Sequence, residues 1–121
     1  METAPITAWT LMEEIPVPND VSRLLVEGEA AITAFKTFRD SAIFTNKRLI
    51  VRDAQGLTGN KVGTYSVPFT SITMWSCEDA DPGVDADIDL WTMAGHIKLH
   101  VGKGGDIRRL DWLIARAVLP G

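Results

Sequence analysis

SAIFTNKRLIVRD, residues 41–53, places two short apolar runs around the polar corner Thr45-Asn46-Lys47-Arg48. Asn takes positive φ readily and can satisfy a turn with its own side chain, so the stretch predicts two antiparallel strands joined tightly. Working outward, Ala30 to Arg39 is rich in β-branched and aromatic residues and predicts the strand before this hairpin. Lys61 to Val67, Ser71 to Glu78, Asp87 to Met93 and His96 to Val101 continue the series, with Pro68, Asp81-Pro82-Gly83 and Ala94-Gly95 as stops or turns. Gln55 to Asn60 has the glycines of a loop.

The last two strands carry the clearest pattern. Ile88, Leu90 and Thr92 alternate with Asp87, Asp89 and Trp91, and Ile97, Leu99 and Val101 alternate with His96, Lys98 and His100. A period of two assigns the first member of each set to the core and the second to solvent. Gly102-Lys103-Gly104-Gly105 breaks the chain, and Asp106 caps a predicted helix running to about Leu119, before Pro120. On that helix Ile107, Leu110, Leu113, Ile114, Ala117 and Val118 share one arc, whereas Trp112 lies roughly 140° from Ile107.

The first twenty residues differ in character. Pro5, Pro16 and Pro18 punctuate a segment carrying Ile6, Trp9, Leu11 and Met12, which predicts a helical turn or two from Thr7 to Glu14 and an extended link. A short helix is expected from Val21 to Val26, capped by Asn19 or Asp20 and ended by Gly28. The expected domains are an extension at 1–20 and a folded unit at 21–119.

Phe44-Thr45-Asn46-Lys47-Arg48-Leu49-Ile50, together with Arg39-Asp40, Gly56-Leu57-Thr58-Gly59, Ser71-Ile72-Thr73 and the terminal amphipathic helix, resembles the bacterial pleckstrin-homology-like domains, over about Val21 to Val118. The resemblance implies a mainly β, PH-like barrel of about seven antiparallel strands capped by a C-terminal α-helix. It also implies a homo-oligomer, often a ring, and no enzymatic role. Eukaryotic relatives of this fold bind phosphoinositides through a long basic loop between their first two strands. Here that connection is only Arg39-Asp40-Ser41, too short for such a pocket.

Composition narrows the function further. The 121 residues, 45% hydrophobic, suit one domain with one core. A net charge of −4 works against general attraction to nucleic acid or anionic lipid, and neither nucleic acid nor any cofactor is expected as a partner. The single cysteine, Cys77, fits a reducing compartment, and no apolar run approaches the roughly 20 residues that cross a bilayer; a cytoplasmic location is expected.

Several constellations invite chemistry. Asp85-x-Asp87-x-Asp89 has EF-hand spacing, but Leu90 stands where the glycine belongs and His96 where the bidentate glutamate belongs. His96 and His100 lie roughly 13 Å apart on a strand, too far to share a metal, and read as exposed histidines. Cys77 alternates with Trp75 and Thr73, as a core-facing cysteine would. Gly102-x-Gly104-Gly105 lacks the Lys-Ser/Thr ending of a phosphate loop.

The leading expectation is therefore a non-catalytic binding or scaffolding module that self-associates and takes a protein or peptide partner. Trp9, Trp91 and Trp112 are its candidate interface residues, since tryptophan is enriched at buried interface centres. The alternative is a module for an anionic ligand or membrane surface, using Lys36, Arg39, Lys47 and Arg48, with Arg52 and Lys61 nearby, as a basic patch.

Overall fold

The computed structural model describes residues 7–55 and 61–121. Its strands, in chain order, are β1 (Thr7–Leu11), β2 (Glu13–Ile15), β3 (Ala31–Lys36), β4 (Asp40–Thr45), β5 (Arg48–Gln55), β6 (Lys61–Pro68), β7 (Ile72–Cys77), β8 (Ala86–Thr92) and β9 (Gly95–Val101), followed by α1 (Ile107–Val118). They form a four-stranded sheet ordered β1-β9-β8-β7 and a five-stranded sheet ordered β2-β3-β4-β5-β6. The fold is mainly β, as the sequence indicates, with four corrections.

Nine strands replace the expected seven, and the sheets do not close into a barrel. The edges β1 and β6 are bridged by side chains instead: the rings of Trp9 and Tyr65 meet at 5.6 Å between centroids, tilted by 56°. The third correction concerns the N-terminal segment, whose predicted helix is two strands. β1 pairs parallel with β9, from Thr7↔Ile97 to Leu11↔Val101, and β2 pairs antiparallel with β3. An available sheet edge satisfies the backbone of Thr-Ala-Trp-Thr-Leu more fully than one helical turn could, and Thr and Trp suit a pleated surface. The short helix expected at 21–26 is a 3-10 turn at Asn19–Arg23. The loop read at 55–60 lies, from residue 56 on, outside the described residues.

Between the sheets, Phe35, Phe44, Leu49, Phe69, Leu90 and Leu99 form the main core with Leu110 and Ile114 of α1, all at most 2% exposed. Phe44 packs edge-on against Phe35 and stacks on Phe69. Asp106 caps α1 by accepting from the Arg109 N–H at 3.1 Å, so this helix is where its sequence pattern places it. Asp111 then ties α1 to β7, accepting from Trp75 Nε1 at 2.8 Å.

A second core lies on the outside of the five-stranded sheet. Ala34, Ile43 and Ile50 point outward and are covered by Val21, with Ile15, Val17, Leu24 and Leu25 packed around them. Residues 15–30 thus roof this sheet. Gly102 allows β1 to end against the β9–α1 connection: its N–H donates to Leu11 O at 2.8 Å, and a Cβ there would lie 2.6 Å from Met12 O.

Candidate functional site

The corner at 45–48 is held differently from its sequence reading. No non-glycine residue takes positive φ among the described residues, Asn46 included. Thr45 builds the turn, its Oγ1 accepting from the backbone N–H groups of Lys47 and Arg48 at 3.0 and 2.9 Å. Asn46 instead reaches sideways: its Oδ1 accepts from Ala30 N at 2.8 Å and its Nδ2 donates to Gly28 O at 3.0 Å, where Gly28 turns at φ 80°.

Glu29 anchors the same corner from the roof. Its carboxylate is 1% exposed, accepts from Arg48 Nε at 2.9 Å and from Thr45 Oγ1 at 2.7 Å. Burial pushes the Glu29 carboxyl up, but hydrogen bonds from Arg48, Thr45 and the Val26 N–H outweigh it and hold the group below its ordinary range. Arg48 also donates to Leu24 O and Ser66 Oγ. Arg52, two positions along the same outer face, binds Asp20 at 2.9 Å, and that contact draws the Asp20 carboxyl down.

The basic candidates are therefore distributed. Arg48 and Arg52 clamp the roof, and Arg39 pairs with Asp53 and donates to Ala54 O. Lys36 and Arg39 sit by the β3–β4 turn, whereas Lys47 and Arg48 sit by the β4–β5 turn, at the opposite end of β4, roughly 17 Å away. The four do not share one surface point.

On the outer face of β8 and β9 the charges form a ladder. His100 Nδ1 lies 2.6 Å from Asp87 and its Nε2 3.3 Å from Asp85; Lys98 lies 3.5 Å from Asp87 and 3.6 Å from Asp89; His96 Nε2 lies 2.6 Å from Asp89. The hydrogen bond to Asp87 raises the His100 pKa, burial opposes it, and Asp85 adds to it. Asp89 chiefly, and Asp87, raise Lys98. His96 is not the exposed histidine its alternation suggests. Trp91 stacks on its ring at 4.7 Å and 9°, leaving it 8% exposed. Among the described residues no group of three or more His, Cys, Asp or Glu is arranged to hold a metal ion. Cys77 is half-buried beside Asp111, and burial, then the Asp111 charge, push its thiol up to about 12.

The tryptophans have three different settings. Trp9 packs against the core and Tyr65, and Trp91 against His96. Trp112 is 56% exposed, with only the Arg116 guanidinium over its ring at 4.9 Å. It walls a cavity of about 500 Å³ that also touches Ile32, Asn46 and Ala117. Asn46 and Ala117 are shared with a second cavity of about 480 Å³, which runs past Lys47 to Val26 and Pro68. The two adjoin at Asn46 and Ala117 and together line a groove in two parts between the C-terminal half of α1 and the β4–β5 corner. Sequence reasoning missed it, because Arg116 and Lys47 belong to elements far apart in the chain.

Residues 1–118 match the family profile described as bacterial PH domain. The chain belongs to the bacterial PH domain family. A DUF1696 family protein with a pleckstrin-homology domain from Shewanella loihica PV-4 superposes with a TM-score of 0.77 at 32% identity, covering 88% of this chain and 96% of that one. A pleckstrin homology domain from Shewanella amazonensis SB2B gives 0.63 at 34% identity, covering 84% of each. Among curated proteins, the uncharacterized protein YjqA of Bacillus subtilis (strain 168) is 41% identical over 76 residues, which is 62% of this chain and 61% of that protein. This bacterial PH domain thus has relatives of known fold and unassigned role. No helix among its described residues is long and apolar enough to cross a membrane.

Proposed function

We propose that this PH domain is a non-catalytic binding module that associates with a second copy of itself through an open sheet edge and takes a protein or peptide partner elsewhere. The observation that carries the reading is β6. Among the described residues this eight-residue strand is hydrogen-bonded on one side only, to β5, with Val62 49% exposed along it and Tyr65, whose ring meets Trp9, 48% exposed. A long edge of this kind offers unpaired N–H and C=O groups and apolar side chains to another strand. Trp9 and Trp91 are occupied by contacts within the chain, so they support the association less than β6 does.

Light scattering on the eluting protein at micromolar concentration is the test. The expected mass is a multiple of the monomer, reduced to one monomer by Val62→Lys with Thr64→Pro, which adds an edge charge and removes a strand donor. A strict monomer for the unaltered chain sinks the self-association.

A further inference from the structure

We propose that the groove between α1 and the β4–β5 corner binds an extended peptide segment whose groove-facing side chains are both acidic and apolar. The proposal rests on the reading of the chain as a binding module, and is independent of its self-association. Two cations border the groove, Lys47 and Arg116, and among the described residues neither side chain has an ion-pair partner. Every other arginine of the described residues is paired with a carboxylate. Arg116 is thus the exception among the arginines, and with Lys47 it supplies charge complementarity for an anion on one groove.

The remaining lining decides which anion. Ile32, Leu113, Ala117 and Pro68 give apolar floor, and Trp112 gives an aromatic wall held upright by Arg116. Aromatic walls of this sort anchor apolar side chains at interfaces. A phosphate group suits the site poorly. Arg48, the donor that could join Lys47 in a bidentate grip, is taken by Glu29, which leaves single cations suited to single carboxylates. Every second side chain of an extended segment faces the groove, so carboxylates and apolar groups interspersed at those positions meet Lys47 and Arg116 and lie on the floor. Strand geometry spaces alternate side chains by roughly 6.6 Å, so a segment of about ten residues is ample to span the groove.

The test is nitrogen-resolved NMR titration of the full chain with a ten-residue peptide carrying Glu, Leu and Phe at every second position with Ser between them, against the same peptide with Lys for Glu. The acidic peptide is expected to move the amide signals of Asn46, Lys47, Arg116 and Ala117, and to bind roughly tenfold more weakly to the Lys47→Glu, Arg116→Glu double variant and as salt is raised. Arg116→Lys should restore most of the binding. Both sites are exposed, and an unchanged melting temperature confirms the fold.

Equal binding of the two peptides overturns the proposal, as do shifts confined to β6. Vesicles containing anionic lipid that move these same signals while the peptide does not also overturn it, and assign the groove to a lipid headgroup. Light scattering on the same samples reports self-association separately, so either idea can fail alone.

Discussion

On the five-stranded sheet the outer face carries Ala34, Ile43 and Ile50 under a roof of residues 15–30, whereas on the four-stranded sheet it carries Asp87, Asp89, Lys98 and His100 facing solvent. Charges do different jobs on the two. Under the roof, Arg48 and Arg52 fasten one covering segment through Glu29 and Asp20. On the open face, the acids and bases of neighbouring strands satisfy one another and hold down nothing further. A charged residue on a β face is therefore a clamp or a solvated partner according to what lies above it, which its own strand does not reveal.

The largest expected effect separates the faces by burial. Ile43→Ala, at 0% exposure on the roofed face, should cost about 2–5 kcal/mol in urea unfolding, while Asp85→Ala beside the open face, 54% exposed, should cost about 1 kcal/mol or less. Equal costs would break the comparison. Next comes the clamp itself. Glu29→Gln leaves Arg48 without its carboxylate and should cost about 1–3 kcal/mol near neutral pH. Because the Glu29 pKa is lowered on folding, its contribution is present above the unfolded value and is lost as pH falls through the folded one. The variant and the parent should therefore converge in acid, and hydrogen exchange should show residues 21–30 opening while β8 and β9 stay protected.

The open face should respond to pH in the opposite sense. His100 has a raised pKa, so its contribution is complete below the unfolded value of 6.5 and fades as pH rises through the folded one. His100→Gln should lower the melting temperature more at about pH 5.5 than at about pH 8.5. A pH-independent difference would show that Asp85 and Asp87 do not recognise its charge. Smallest of all, Lys98→Met should change stability by about 0.5 kcal/mol or less, since Lys98 itself is 37% exposed and salt screens its pairs.

The same contrast explains what could be read from the chain. β8 and β9 alternate strictly because one face is wet, and their inward residues Ile88, Leu90, Ile97 and Leu99 are all buried. In β4, Ser41 to Thr45 are buried without interruption, and such a run cannot announce that Phe44 belongs to one core and Ile43 to another. Asp106 revealed the helix start because a cap acts within three residues. The strand at Thr7–Leu11 was hidden because its partner is distant and prolines suit a helix start equally well. Asn46 stands at the corner its type suggests, but for a reason supplied by Gly28 and Ala30. The groove was illegible for a similar cause: Lys47 was read with its sequence neighbours, and Arg116 as an ordinary polar position on a helix.

The parallel pairing of β1 with β9 also sets an order of events. Thr7 leaves the ribosome before Ile97, its register partner, which follows about 90 residues later. At ordinary rates of synthesis that interval is on the order of 10 s. During it the five-stranded sheet can assemble from neighbours in sequence, while Leu11 has no core to enter. β1 is thus made well before it can be placed, and it stays apolar and unpaired while the strands between it and β9 are synthesised.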